Sequence, residues 1–348
     1  MAKLLALAAI ALAATVAAVT VDDEPTAAAV RTFVAGLNDP GLERPGKDEP
    51  CAFARVAGRQ QGVLCHGIMY DLTVPAQCLD GRRCGVVVDV HGLSMNGTWE
   101  EALTAMGAHG ARIDCLTLQP SSQPAGLGPG PPWTSWRSGD ECAAKALAGL
   151  DDVEAAFAVD ARRVYLAGLS EGGDCANSTL NRADGAAARF GAIVIGGNGA
   201  SLPRAPLPRV SWMWTIGRYD TLTGVQPGVV EPRLAQYTAA WNLTTHELVE
   251  SGAMFEHHRW SNPDAADGVE IEYMVHNYTL RGETVIGAYT AGHCAPGGTD
   301  APPNAPWAYF GRFPLRLSCP QPDPTVAEQG VAGQTWATFF DRHLARGM

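Results

Sequence analysis

Three residues far apart in the chain are of the types that nucleophilic acyl transfer needs, in the order Ser170, Asp220, His293. Ser170 lies in Arg163-Val164-Tyr165-Leu166-Ala167-Gly168-Leu169-Ser170-Glu171-Gly172-Gly173, a β-like run, then Gly-x-Ser-x-Gly, then a helical stretch. A serine hydroxyl is a poor nucleophile at neutral pH and needs an adjacent base. On a sharp strand-to-helix turn its Oγ stands exposed, and neighbours without a Cβ relieve the crowding. The helix N-terminus behind it favours negative charge at the site. Glycine is abundant here, with 39 residues, so the motif gains its weight from the strand–turn–helix context.

Where a Gly-x-Ser-x-Gly turn of this strand–turn–helix kind carries the nucleophile, the chain order expected is serine, then acid, then histidine. His246, His257, His258 and His293 follow Asp220, and His276 lies inside a β-like run. His293 sits between a strand end and the glycine-flanked loop Ala291-Gly292-His293-Cys294-Ala295-Pro296-Gly297-Gly298, from which an imidazole can reach across a sheet edge. His257 and His258 stand in a polar Glu-His-His-Arg run and are expected to be solvated. Asp220 follows an apolar run that ends in Gly217, where a buried carboxylate would orient the imidazole. The alternative is that it caps a turn; Asp264 and Asp267 also precede His293, but in a polar loop. The oxyanion needs two backbone N–H donors. Glu171 supplies one candidate, and Leu93, in His91-Gly92-Leu93-Ser94, the other; His91 is expected to support that loop. Trp133, Trp136, Tyr219 and Trp307, with Tyr309 and Phe310, are candidates for an aromatic platform under an acyl or aryl group. The plainer alternative is that about half of them only pack the loops.

The elements that must hold these residues alternate. β-like runs span Val63–Val74, Gly85–His91, Arg112–Gln119, Arg163–Leu169, Ala192–Gly196, Val210–Gly217, Val269–Tyr278 and Thr284–Tyr289. Strings such as Val86-Val87-Val88 suit strands covered on both faces. Helical stretches span Gly139–Ala158, Gly172–Arg182, Glu231–Trp241 and Val326–Leu344. The pattern predicts one α/β domain with a mainly parallel central sheet flanked by helices, and sites at the carboxyl ends of its strands.

The chain has 348 residues and a formal net charge of −11, which argues against nucleic acid or an anionic membrane as partner. Residues 1–18 read as a signal peptide: Lys3, an apolar Ala-rich core, and cleavage after Ala18. Residues 19–60 read as an irregular lead-in and 61–348 as the catalytic domain. No later segment is apolar for long enough to span a membrane. Nine cysteines fit an oxidising compartment, hence a secreted, extracellular or periplasmic location. They lack a CxxC spacing, so no metal site is expected. Cys78 with Cys84 is the best local pair, Cys294 with Cys319 a second candidate, and the odd count leaves at least one thiol unpaired or intermolecular. Sequons occur at Asn96, Asn177, Asn242 and Asn277. A glycan would fit poorly at Asn177, on the helix after Ser170.

In these motifs the chain resembles the polyhydroxybutyrate depolymerase-like and feruloyl-esterase-like secreted hydrolases. The match lies in His91-Gly92, Asp160-Ala161-Arg162-Arg163-Val164-Tyr165, Gly168 to Gly173, Gly217 to Asp220, and Gly292-His293-Cys294-Ala295-Pro296-Gly297. The resemblance covers residues 60–345 and implies the α/β-hydrolase fold, a Ser170–His293–Asp220 triad, no cofactor, and a small-molecule or polymeric ester as substrate. Three residues depart from the family pattern. Glu171 stands where a small residue is usual, Ala291 replaces a glycine, and Ala295 replaces an aromatic. A serine peptidase of the same fold and a non-catalytic binding protein that kept the fold remain the alternatives.

Overall fold

The computed structural model describes residues 49–92, 95–122, 136, 138–198, 209–218, 220, 227–252, 255–276, 293, 295–296, 318–319 and 331–343. The expected signal peptide, Leu93, Trp133, Tyr219, Trp307, Asn277, Cys294 and the run Thr284–Tyr289 lie outside them.

Among these residues ten strands form one sheet: β1 (Gly58–Cys65), β2 (Ile68–Val74), β3 (Cys84–Val90), β4 (Cys115–Ser121), β5 (Val159–Leu169), β6 (Ala192–Gly196), β7 (Ser211–Gly217), β8 (Thr245–Ser251), β9 (Phe255–Ser261) and β10 (Ile271–His276). Their spatial order is β1-β2-β4-β3-β5-β6-β7-β10-β9-β8. Pairing is parallel from β4 through β10. It is antiparallel at both margins.

The apolar strings are the covered strands. β3, β4, β6, β7 and β10 are buried along their whole length. Alternation splits β3 between the two faces. Val86, Val88 and Val90 join one core cluster, with Leu150 and Val153 of α3 (Gly139–Ala156), Ala176 of α4 (Glu171–Leu180) and Tyr237 of α5 (Pro227–Ala240). Val87 joins the other, with Leu103 of α1 (Gly97–Thr104), Met106 of α2 (Met106–Arg112), and Trp336 and Phe340 of α6 (Val331–Asp341). Helices thus cover both faces of a mainly parallel sheet. A strand–turn–helix follows the central strand β5. This is the α/β-hydrolase fold.

Several elements differ from the sequence expectation. Val63–Val74 is a hairpin, because His66 and Gly67 both take positive φ, 50° and 71°, and turn the chain between β1 and β2. β1 begins at Gly58, inside the span read as lead-in, and the Cys51–Cys65 disulfide fastens that span to the strand. Residue 112 ends helix α2, so the expected run Arg112–Gln119 is extended only from Cys115, where β4 begins. Helix α1, capped by the Asn96 side chain accepting from the Trp99 amide at 2.9 Å, has no counterpart in the sequence reading. Nor has the β8–β9 hairpin. His257, expected to be solvated, is buried on β9, where its Nε2 donates to Glu272 at 2.7 Å. The opposite strand β8 is exposed throughout.

Disulfides join Cys51 to Cys65, Cys78 to Cys84 and Cys142 to Cys175, while Cys115 is a buried free thiol. The Cys78–Cys84 bridge is the local pair expected from sequence. The Cys142–Cys175 bridge ties α3 to α4, the helix behind Ser170. Asn177 is buried on α4. No helix among the described residues is long and apolar enough to cross a membrane.

Candidate active site

Ser170 is the hinge between β5 and α4, with φ 58° and ψ −114°. A residue with a Cβ is strained there, and such strain persists only where the surroundings over-determine it. Here they do. The Ser170 amide donates to the Gly196 carbonyl at 2.8 Å, and the Ser170 carbonyl accepts from the Asp174 amide at 3.0 Å. Asn198 Nδ2 donates to the same carbonyl at 3.1 Å. The glycines on either side permit the close approach of helix and strands. A Cβ on Gly168 would lie 2.2 Å from the Gly172 carbonyl oxygen, and one on Gly172 would lie 1.9 Å from that of Val90.

Two other strand ends deliver the partners. Asp220 follows β7, its amide donating to the Gly217 carbonyl at 3.1 Å. Its Oδ2 lies 2.7 Å from His293 Nδ1, and His293 Nε2 lies 2.9 Å from Ser170 Oγ. A carboxylate only accepts, so Nδ1 carries the proton and Nε2 faces the serine hydroxyl as acceptor. Asp220 and His293 are almost wholly buried, at 0% and 1% exposed, and Ser170 at 8% is the member solvent can reach. Burial holds the imidazole in one orientation, and Gly197 flanks it: a Cβ there would meet His293 Cε1 at 3.2 Å.

Glu171 opens α4, which puts its amide at the helix N-terminus beside Ser170. Gly92 lies against the serine from the other side; a Cβ on it would be 3.1 Å from Ser170 Cβ. Leu93, the second expected donor, follows it outside the described residues. His91 is buried under this loop. It accepts from the Ser122 amide through Nε2 at 3.0 Å and donates to the Gly92 carbonyl through Nδ1 at 2.6 Å. Burial pushes its pKa down to about 4, so the ring is neutral at pH 7.

Trp136, expected as part of a substrate platform, is buried with its ring stacked on His91, centroids 5.1 Å apart. Asn198 was missed by sequence reasoning. Its signal, a polar residue just past the β6 string Ala192-Ile193-Val194-Ile195, is weak without coordinates. Asp174, one turn into α4, is held up to about 6 by burial, against a lowering bond from Asn198. Elsewhere, Glu270, Glu272 and His343 bring ligand atoms within 4.8 Å of one another. There Glu272 already accepts from His257 and Arg342.

No protein-family model matches the chain, and no curated protein matches it. Among solved structures it is similar to the acetyl xylan esterase from Aspergillus awamori, at 14% identity over 63% of this chain and 93% of that one, TM-score 0.48. It is also similar to S-formylglutathione hydrolase from Staphylococcus aureus, at 15% identity over 50% of this chain and 81% of that one, TM-score 0.36. A third similar structure is fluorophosphonate-binding serine hydrolase F of Staphylococcus aureus, at 13% identity over 56% and 88% of the two chains, TM-score 0.36.

Proposed function

We propose that this protein is a secreted serine carboxylic-ester hydrolase that works through an acyl-enzyme, with Ser170, His293 and Asp220 as its catalytic residues. The observation that carries the reading is the unbroken chain Ser170 Oγ–His293 Nε2 and His293 Nδ1–Asp220 Oδ2, at 2.9 and 2.7 Å, on a strained strand-to-helix turn. His293 takes the hydroxyl proton as Ser170 attacks the ester carbonyl. Asp220 stabilises the imidazolium that forms. The amides of Glu171 and Leu93 receive the oxyanion. His293 then protonates the leaving alcohol, and water, activated by the same imidazole, releases the acid. The substrate class is a short acyl, hydroxyalkanoate or feruloyl-type ester, small or polymeric, in keeping with the motif resemblance. Disulfides and the N-terminal apolar segment support export to an oxidising compartment.

Ser170→Ala tests the reading. Hydrolysis of p-nitrophenyl acetate is expected to fall more than about a thousandfold while the far-ultraviolet circular dichroism stays that of the parent. Activity retained in that variant sinks the assignment. Faster release of amino-acid amides than of esters by the parent would make it a peptidase. A folded parent that fails to react with a fluorophosphonate would make it a binding protein.

A further inference from the structure

Glu171 is the residue at which the nucleophile motif departs most from the pattern it resembles, and the structure gives its carboxylate a partner. Its Oε2 accepts from the Trp136 amide at 3.2 Å. The Trp136 indole Nε1 donates to the His91 carbonyl at 3.2 Å, and its ring stacks on the His91 ring at an interplanar angle of 29°. His91 in turn donates to the Gly92 carbonyl at 2.6 Å and accepts from the Ser122 amide. A continuous path of hydrogen bonds and stacking thus runs from the residue after Ser170 to the loop start on the serine's other side.

We propose that Trp136 is a positioning residue that braces the two walls of the oxyanion site against each other, held by the Glu171 carboxylate on one side and by His91 on the other. The inference rests on the proposed esterase reading and deepens it. Oxyanion stabilisation depends on donors fixed before charge develops, and a donor displaced by a fraction of an ångström loses much of its effect. Glu171 places its own amide and its side chain on the same wall. A shift in Trp136 therefore reaches the candidate donor and the Gly92 loop together. The path also explains why the ring is buried. Its one hydrogen-bond donor and a face of its π-system are used inside the protein, as buried tryptophans require.

Four variants separate this role from a substrate contact. Trp136→Phe keeps a ring to stack on His91 and loses the Nε1 donor. Glu171→Ala loses the acceptor, and Glu171→Gln restores one. The double variant Trp136→Phe/Glu171→Ala tests coupling. The readouts are kcat and KM for p-nitrophenyl acetate and the Ki of phenylboronic acid, which forms a tetrahedral adduct with the serine. The expected result is a fall in kcat of about tenfold for Trp136→Phe and for Glu171→Ala, with KM within about twofold. Ki should rise by the same factor as kcat/KM falls. Glu171→Gln should recover most of what Glu171→Ala loses, and the double variant should be no worse than about twofold below either single one.

Unchanged kcat and Ki in the single variants overturn the brace. A raised KM at constant kcat also overturns it, because Trp136 would then be binding substrate. Ser170→Ala, assayed in parallel, keeps the two claims apart. If it stays active, the esterase reading fails; if it is dead while the brace variants are unimpaired, only the brace fails.

Discussion

Asp89 is a carboxyl group in the middle of the sheet, and replacing it with asparagine should change how stability depends on pH. It sits on β3, wholly buried. Its Oδ2 accepts from Thr104 Oγ1 at 2.8 Å and Gln119 Nε2 at 3.0 Å, and its Oδ1 has no hydrogen-bond partner among the described residues. The neighbouring Glu100 is equally buried, with neither carboxyl oxygen partnered among the described residues, and burial drives its pKa well up. Burial, opposed by the Gln119 and Thr104 bonds and assisted by Glu101, raises Asp89 from 3.8 to about 7. Between those values the folded protein keeps a proton that the unfolded chain has released. Stability therefore falls as pH rises through that window and stays low above it. Three pH units at about 1.4 kcal/mol each give a loss of about 4 kcal/mol.

Asparagine can keep both accepted bonds, but it leaves an amide group where Oδ1 lacks a partner. That costs about 1–3 kcal/mol at every pH. The difference between Asp89→Asn and the parent should accordingly move in the variant's favour by about 4 kcal/mol from pH 4 to pH 8. Urea unfolding, followed by the fluorescence of nine tryptophans with disulfides intact, measures it. His91 titrates alike in both proteins and cancels. A difference flat to within about 1 kcal/mol over that range would refute the assignment of a charge-burial cost to Asp89.

Two further outcomes follow from the packing around Ser170. Burial lowers His91 from 6.5 to about 4, so between those values the unfolded chain binds the extra proton. Relative to His91→Gln, the parent should lose up to about 3 kcal/mol as pH falls through that window, whatever the substitution costs at neutral pH and with Asp89 titrating alike in both proteins; the difference between their thermal midpoints from pH 7 to pH 4 decides it. Gly172→Ala puts a Cβ 1.9 Å from the Val90 carbonyl oxygen. Neither backbone can yield cheaply, so urea titration should show a loss of at least about 3 kcal/mol, and a loss below about 1 would contradict the close approach of α4 to β3.

What the sequence made legible follows the range of the physics. The turn at Ser170 needs a strand end, a serine and small neighbours within a few residues, so its whole requirement is local and visible. The covered strands are visible because burial on both faces leaves apolar strings, as in β6 and β7. Order along the chain and strand ends singled out Asp220 and His293, the two residues that stand in hydrogen-bond contact with each other and, through His293, with Ser170. β8 left no signal because an edge strand open to water on every residue carries none of the alternation that betrays a half-buried one. His257 misled for the opposite reason. A polar run reads as solvated, yet in a strand alternate residues face opposite ways, and this one turns inward to Glu272.

Asp89, Glu100 and Trp136 mark a different limit. Carboxylates are seldom fully buried, so composition argues against placing Asp89 and Glu100 inside, and the residues that enclose them come from elements far apart in the chain. An aromatic near a presumed site invites a binding role, because its large apolar face is the property sequence reveals. Which surface that face meets is set by tertiary contacts. At Trp136 the ring meets His91 and the main-chain amide meets Glu171, so one of the candidates for the aromatic platform is tied to the loop beside the nucleophile. The same contact explains Glu171. A carboxylate next to a nucleophilic serine disfavours a developing oxyanion unless its charge is engaged elsewhere, and the Trp136 amide engages it.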